Sequence, residues 1–229
     1  MDKKYVLTNE TMEFNGTTLH RIQASSEITL LNGVVIPPGT LGGWVESEAN
    51  LSQMGNCWVG DDAKVYNEAK VSCNAWVYGN ACIADEAEVF GSARVSNSAK
   101  IFGSADVFDN AQVFGHVRIF GVAKVYGHVW AYGDNRIFEN ARVYENAKLS
   151  DNAEVFGDAK VFGNSKLYGN SKIHGASQIH DSASVGGTVE VCGTTELFGS
   201  IWLQGNSELV GDYKFSHLKE IMIKESLIG

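Results

Sequence analysis

The sequence predicts an all-β fold, a single-stranded parallel β-helix of triangular section. Three observations predict it: a period of six that runs without interruption, a small residue at a second position of the same register, and a corner-forming residue at a third. Internal periodicity at a short fixed step is the signature of a solenoid. From Val59 the step of six lands on Val65, Val71, Val77, Ile83 and Val89, and continues to Leu203 and Leu209. About 26 hexads follow one another with no insertion or deletion, and Ala131 is the one residue of the series that is not Val, Ile or Leu.

Each position of the hexad has a physical assignment. The first, a branched aliphatic, points inward and fills the prism. The fifth is alanine without a break from Ala63 to Ala111, and Ala, Val or Ser at most later repeats, with Asn135 as a polar exception. It points inward near a corner, where space is small. The third is mostly Gly, Asp or Asn, which tolerate the left-handed backbone region that a corner demands. A strict period of six does not keep one face at 3.6 residues per turn, so a helix is excluded. Three hexads close one coil of 18 residues. About eight or nine coils result, stacked to roughly 40 Å at the inter-strand spacing.

The ends differ. Residues 1–58 read as a β-rich cap, with Asn-Gly at 15–16 and 32–33 marking hairpins. Residues 59–214 form the repeat. Residues 215–229 read as a short capping helix, with Ser216 at its start and Leu218, Ile221 and Met222 on one face. A solenoid needs both caps, because an open end exposes core and sheet edge.

Bulk properties narrow the functional classes. The chain has 229 residues, 44% hydrophobic, with 25 glycines and only 2 prolines. Its formal charge of −9 disfavours nucleic acid or an anionic membrane as partner. Cys57, Cys73, Cys82 and Cys192 form no CxxC and fit unpaired thiols in a reducing compartment. The first residues lack an apolar signal-type core, and no run is long enough for a membrane helix, so a soluble cytoplasmic protein is expected.

The segment from Gly39 to Val59 carries a resemblance. Gly42, Gly43, Trp44, Glu46, Ser47 and Glu48, then Asn50, Leu51, Ser52, Gln53, Gly55, Asn56, Cys57 and Trp58, resemble the junction that leads into the repeats of the YdcK family. With the hexads that follow, the resemblance covers nearly the whole chain. It implies a left-handed β-helix of the hexapeptide-repeat type. It also implies a CoA-dependent acyltransferase that works as a trimer, binds acetyl-CoA between prisms and uses a histidine as base between subunits. His116 and His128, at the fourth position of their hexads and so at corners, are the candidates for that base. The chain departs from the hexapeptide-repeat pattern in placing an aromatic second, where glycine is usual. Parallel crossovers are otherwise right-handed, which leaves a right-handed, bactofilin-like solenoid as the alternative.

Residues 18 apart stack on one face, so the outward residues sort into three columns. Face one, which follows Val59, gathers Trp58, Trp76, Trp130 and Trp202 with Tyr78, Phe114, Tyr132 and Tyr168. Face two, which follows Val65, carries Tyr66, Ala84, Phe102, Phe120, Phe138, Phe156 and His174, beside Lys64, Lys100, Arg118 and Arg136. Face three, which follows Val71, carries Phe90, Phe108, Tyr126, Tyr144, Phe162, His180 and Phe198. In-register stacking of rings is one use of such ladders, and an apolar interface is the other.

The first functional reading is therefore a non-enzymatic scaffold or binding protein that self-associates, as a dimer or trimer, or holds a protein partner. Its candidate binding residues are Trp58, Trp76, Trp130, Tyr132 and Trp202 on face one and Phe102, Phe120 and Phe138 on face two. This reading needs no cofactor. Metal-ligand clusters, phosphate loops and nucleophile motifs do not occur in the sequence. The acyltransferase is the second reading. An acidic solenoid that inhibits a nucleic-acid enzyme is the third, and the basic column of face two argues against it. Asp134-Asn135, beside Ala131, marks an irregular corner where a ligand is to be sought.

Overall fold

The computed structural model describes residues 3–216 and 227–228. The fold is all-β, built of stacked parallel strands. Among the described residues the one helical segment is a 3-10 turn at Glu48–Asn50, capped by Ser47. The chain forms two compact units, Met1–Gly115 and His116–Gly229.

The first unit begins with an antiparallel hairpin, β1 (Tyr5–Phe14) and β2 (Thr17–Ala24). Asn15 and Gly16 turn it with φ of 52° and 81°, the positive values an Asn-Gly hairpin turn requires. A second, short hairpin pairs β3 (Ile28–Thr29) with β4 (Val35–Ile36). Next comes β5 (Leu41–Val45), which lies antiparallel to β2 on one edge and parallel to Lys64–Val65 on the other. The cap thus grows into the solenoid through one shared strand, and parallel pairing begins at Trp44–Val45. The start of the chain is fastened to this junction. The Tyr5 hydroxyl donates to the Leu51 carbonyl at 2.7 Å, and the buried Lys4 amine donates to the Cys57 carbonyl at 2.9 Å.

Three parallel ladders follow within this unit. One joins Lys64–Val65, Cys82–Ile83 and Lys100–Ile101. The second joins Lys70–Val71, Glu88–Val89 and Asp106–Val107. The third joins Trp58–Val59, Trp76–Val77, Arg94–Val95 and Gln112–Val113. Every pairing partner lies 18 residues on, the coil length the sequence predicts.

The second unit repeats the plan. Its ladders start at Arg118–Ile119, Lys124–Val125 and Trp130–Ala131 and keep the same register. They reach Glu208–Leu209, Lys214–Phe215 and Trp202–Leu203. The predicted capping helix is corrected at both of its margins: Lys214–Phe215 and Leu227–Ile228 are strands, the latter parallel to Leu209 and Val210. The reason is that the period of six runs on past Leu209 to Phe215 and Leu227. Residues 217–226, with Leu218, Ile221 and Met222, lie outside the described residues. Among the described residues no helix is long and apolar enough to cross a membrane.

The hexad assignments explain the packing of both units. Every first-position residue from Val59 to Leu209 is at most 2% exposed, and the fifth-position alanines are fully buried. The buried Asn135 uses its side chain inside the corner. Its amide donates to the Tyr132 carbonyl at 2.6 Å, and its oxygen accepts the Ala153 N–H at 3.0 Å. That corner is a satisfied polar joint. Third-position residues hold positive φ, including Asp85 at 60°, Glu145 at 59° and Asp181 at 56°. These carboxylates accept the backbone N–H of a glycine one coil on: Asp85 from Gly103 at 2.9 Å, Glu145 from Gly163 at 2.9 Å and Asp181 from Gly199 at 3.0 Å. Many acidic residues are therefore corner fastenings.

Candidate functional site

The aromatic columns divide into closed ladders and one open face. In the second unit, face two stacks Phe120 on Phe138 at 4.9 Å, Phe138 on Phe156 at 4.8 Å and Phe156 on His174 at 4.5 Å, with rings within 5° of parallel. Face three stacks Tyr126, Tyr144, Phe162, His180 and Phe198 in the same way. The ring spacing equals the strand spacing, so a ring on every coil produces continuous stacking. Each such pair is worth about 0.5–1.5 kcal/mol beyond its burial. The Arg136 guanidinium lies over Phe138 at 5.1 Å and ion-pairs with Glu154 at 3.0 Å, so it covers the rings. Phe120 and Phe138 are half-buried members of this ladder, as Phe102 is half-buried in the first unit.

His174 and His180 belong to these ladders. Each ring meets the carboxylate of a glutamate on the next coil, Glu190 at 2.8 Å and Glu196 at 3.1 Å. Glu196 is also bound by Lys214 at 2.6 Å, and the lysine, then His180, holds its carboxyl below the usual range. No group of three His, Cys, Asp or Glu among the described residues is placed to hold a metal ion.

Face one is different in the two units. In the first unit Trp58 is 2% exposed, enclosed at the junction with the cap. Trp76 is half-buried and stacked on Tyr78 at 4.1 Å. In the second unit Trp130, Tyr132 and Trp202 are 43%, 40% and 44% exposed, the three exposed side chains among the described Phe, Tyr and Trp residues. The register shows why. Along this ladder Trp130 is followed by Lys148, Lys166, Ser184 and Trp202, and Tyr132 by Ser150, Tyr168 and Gly186. Lysine and serine rungs interrupt the ring column. Tyr168 bends over Gly186, where a Cβ would collide with its ring, and its hydroxyl accepts the Trp202 indole N–H. Lys148 lies over Trp130 at 5.7 Å. A shallow depression of about 650 Å³ is lined by His128, Trp130, Asn146, Lys148, Asn164 and Lys166.

The electrostatics of this face run against those of the chain. Its outward strand positions hold Lys148 and Lys166 and no carboxylate. Of the acidic residues at its corners, Glu145, Asp151 and Asp181 are engaged on the N–H groups of Gly163, Gly169 and Gly199, and Asp134 is exposed in a recess with Arg118 and Arg136. The Gly199 N–H, then His180, holds the Asp181 carboxyl below its ordinary value.

His116 and His128 are exposed at two different corners of the second unit. His116 lines an open recess with Arg118, Asp134 and Arg136, and His128 lines the depression of face one. Neither imidazole has a hydrogen-bond partner among the described residues, so no carboxylate orients either as a base. What the sequence reading missed is the corner role of the carboxylates. Its signal was present: acid and glycine stand 18 apart at Asp85 and Gly103, and at Glu145 and Gly163.

No known family profile and no curated protein matches this sequence.

Proposed function

We propose that the protein is a non-enzymatic β-solenoid that self-associates, with face one of the second unit seated on the acidic first unit of another copy. The observation that carries this reading is the exposure of Trp130, Tyr132 and Trp202 beside Lys148 and Lys166, on a fold whose neighbouring aromatic columns are closed by stacking. Exposed tryptophan and tyrosine over a flat surface, with a charged rim, are the composition of an interface. Charge selects the partner surface. In residues 1–115 aspartate and glutamate outnumber lysine and arginine two to one, so most of the net charge of −9 lies there. Pairing face one with itself would set Lys148 and Lys166 against their own copies. A head-to-tail contact joins opposite potentials and does not close by a two-fold axis.

Sedimentation at low ionic strength is expected to show concentration-dependent oligomers that dissociate in about 0.5 M salt, where screening is strong. The pair Lys148→Glu and Trp202→Ala is expected to leave monomer. A clean monomer of the unaltered protein at high micromolar concentration and low salt overturns the reading.

The acyl transfer implied by the resemblance is the second reading, and one observation favours it. His128 lies in the same depression, so assembly would enclose it. It requires that acetyl-CoA raise the melting temperature and that turnover be lost in His116→Ala or His128→Ala. Absence of both effects removes it.

A further inference from the structure

The face-two ladder of the first unit lacks one ring. Its outward rungs are Tyr66, Ala84 and Phe102, on strands paired coil to coil. Phe90 and Phe108, on successive coils of face three, stack at about one strand spacing, 4.8 Å. Tyr66 and Phe102 are two coils apart. Only the methyl group of Ala84 stands between them, and a recess of about 390 Å³ opens at this place.

The recess is a built site. Ala84 and Ile101 form its base, and Tyr66 and Phe102 bound it along the ladder. The tip of the β1–β2 hairpin leans over it. Phe14 meets the Tyr66 ring edge-on at 5.7 Å, and the Asn15 amide donates to the Tyr66 hydroxyl at 3.1 Å. The apolar side continues into a buried cluster of Leu19, Trp44, Tyr66 and Ala84.

The polar side is cationic. Lys64 and Lys100 line the opening. Lys64 is held in place by the Asp62 carbonyl at 2.8 Å and lies over the Phe14 ring at 5.2 Å. Lys100 has no ion-pair partner among the described residues. The one carboxylate of the lining, Asp85, is occupied: it accepts the Gly103 N–H at 2.9 Å and the Asn67 amide at 3.2 Å. Burial pushes both the Tyr66 hydroxyl and the Cys82 thiol up, so neither adds negative charge near neutrality.

We propose that this recess binds a small planar aromatic acid, whose ring takes the place of the missing rung beside Phe102 and whose anionic group meets Lys64 and Lys100. The volume admits a one- or two-ring molecule and lies at the lower end of small-molecule pockets. Flat ring faces at the strand spacing favour a planar ligand, and the two lysines favour an anion.

The test is calorimetric titration of the full chain with indole-3-acetate, with indole and cyclohexaneacetate as comparison ligands. Saturable binding is expected for indole-3-acetate. Indole, lacking the charge, and cyclohexaneacetate, lacking the flat ring, are each expected to bind at least about tenfold more weakly. Ala84→Phe restores the rung and is expected to abolish binding while leaving the melting temperature equal or higher. Lys100→Gln, which leaves the packing untouched, is expected to bring indole-3-acetate close to the affinity of indole. Three results each overturn the proposal: no saturation at about 5 mM, equal affinity for the three ligands, or unchanged selectivity in Lys100→Gln.

Discussion

Faces one and two of the second unit are written in the same hexad grammar, and they end in opposite states. Phe120, Phe138, Phe156 and His174 stand on successive coils and stack into a column. Trp130 and Trp202 lie on one ladder with Lys148, Lys166 and Ser184 between them, and both remain exposed. Both sets point outward, the face-two rings from the second position of their hexads and the two tryptophans from the sixth. The residues 18 positions away differ as well: Phe138 has Phe120 and Phe156 there, and Trp130 has Gln112 and Lys148. In a solenoid, an outward aromatic is made structural or available by its neighbours along the ladder.

Stability measurements can break this comparison. Phe138→Ala removes two ring contacts and the seat of Arg136, and is expected to cost about 3 kcal/mol in denaturant unfolding. Trp130→Ala, at a site that is 43% exposed, is expected to cost about 1 kcal/mol. Equal costs would mean that the two faces do the same structural task. A smaller effect runs the other way. Ser150→Phe places a ring between Tyr132 and Tyr168, and is expected to stabilise the fold by about 0.5–1.5 kcal/mol. The same change is expected to weaken self-association by closing the face.

The smallest effect concerns the rim. Asp181 accepts the Gly199 N–H, which with His180 lowers its carboxyl pKa in the folded chain, and Glu196 is lowered by Lys214 and His180. A depressed folded value means that the carboxylate supports the fold above its unfolded value, near 4, and that this support is lost as pH falls further. The melting temperature is therefore expected to drop between about pH 5 and pH 3. It should drop less in Asp181→Asn, which keeps the left-handed corner but does not titrate. An identical pH profile in the variant would show that Asp181 is free at the rim, and face one would then lose part of its cationic character.

Much of this was legible in the residues. The period of six gave the parallel coils, the 18-residue register and the buried series from Val59 to Leu209. The Asn-Gly pairs at 15–16 and 32–33 marked the two hairpins. The columns of aromatics followed from the register alone. The predicted binding residues Trp58 and Trp76 were less legible. Column membership does not show that the strand of Leu41–Val45 joins the solenoid beside Trp58, or that Tyr78 takes the face of Trp76. The end of the repeat also escaped notice: helical spacing at Leu218, Ile221 and Met222 competed with a hexad register that extends to Phe215 and Leu227.

The sequence by itself determined the coil, because inward volume and corner conformation act within a few residues and recur in every hexad. Tertiary structure decided which rings are covered, because stacking depends on partners 18 residues away and on the folded cap. It also turned the single Ala84 into a recess, since a missing side chain becomes a cavity only when Tyr66, Phe102 and the hairpin tip are brought around it.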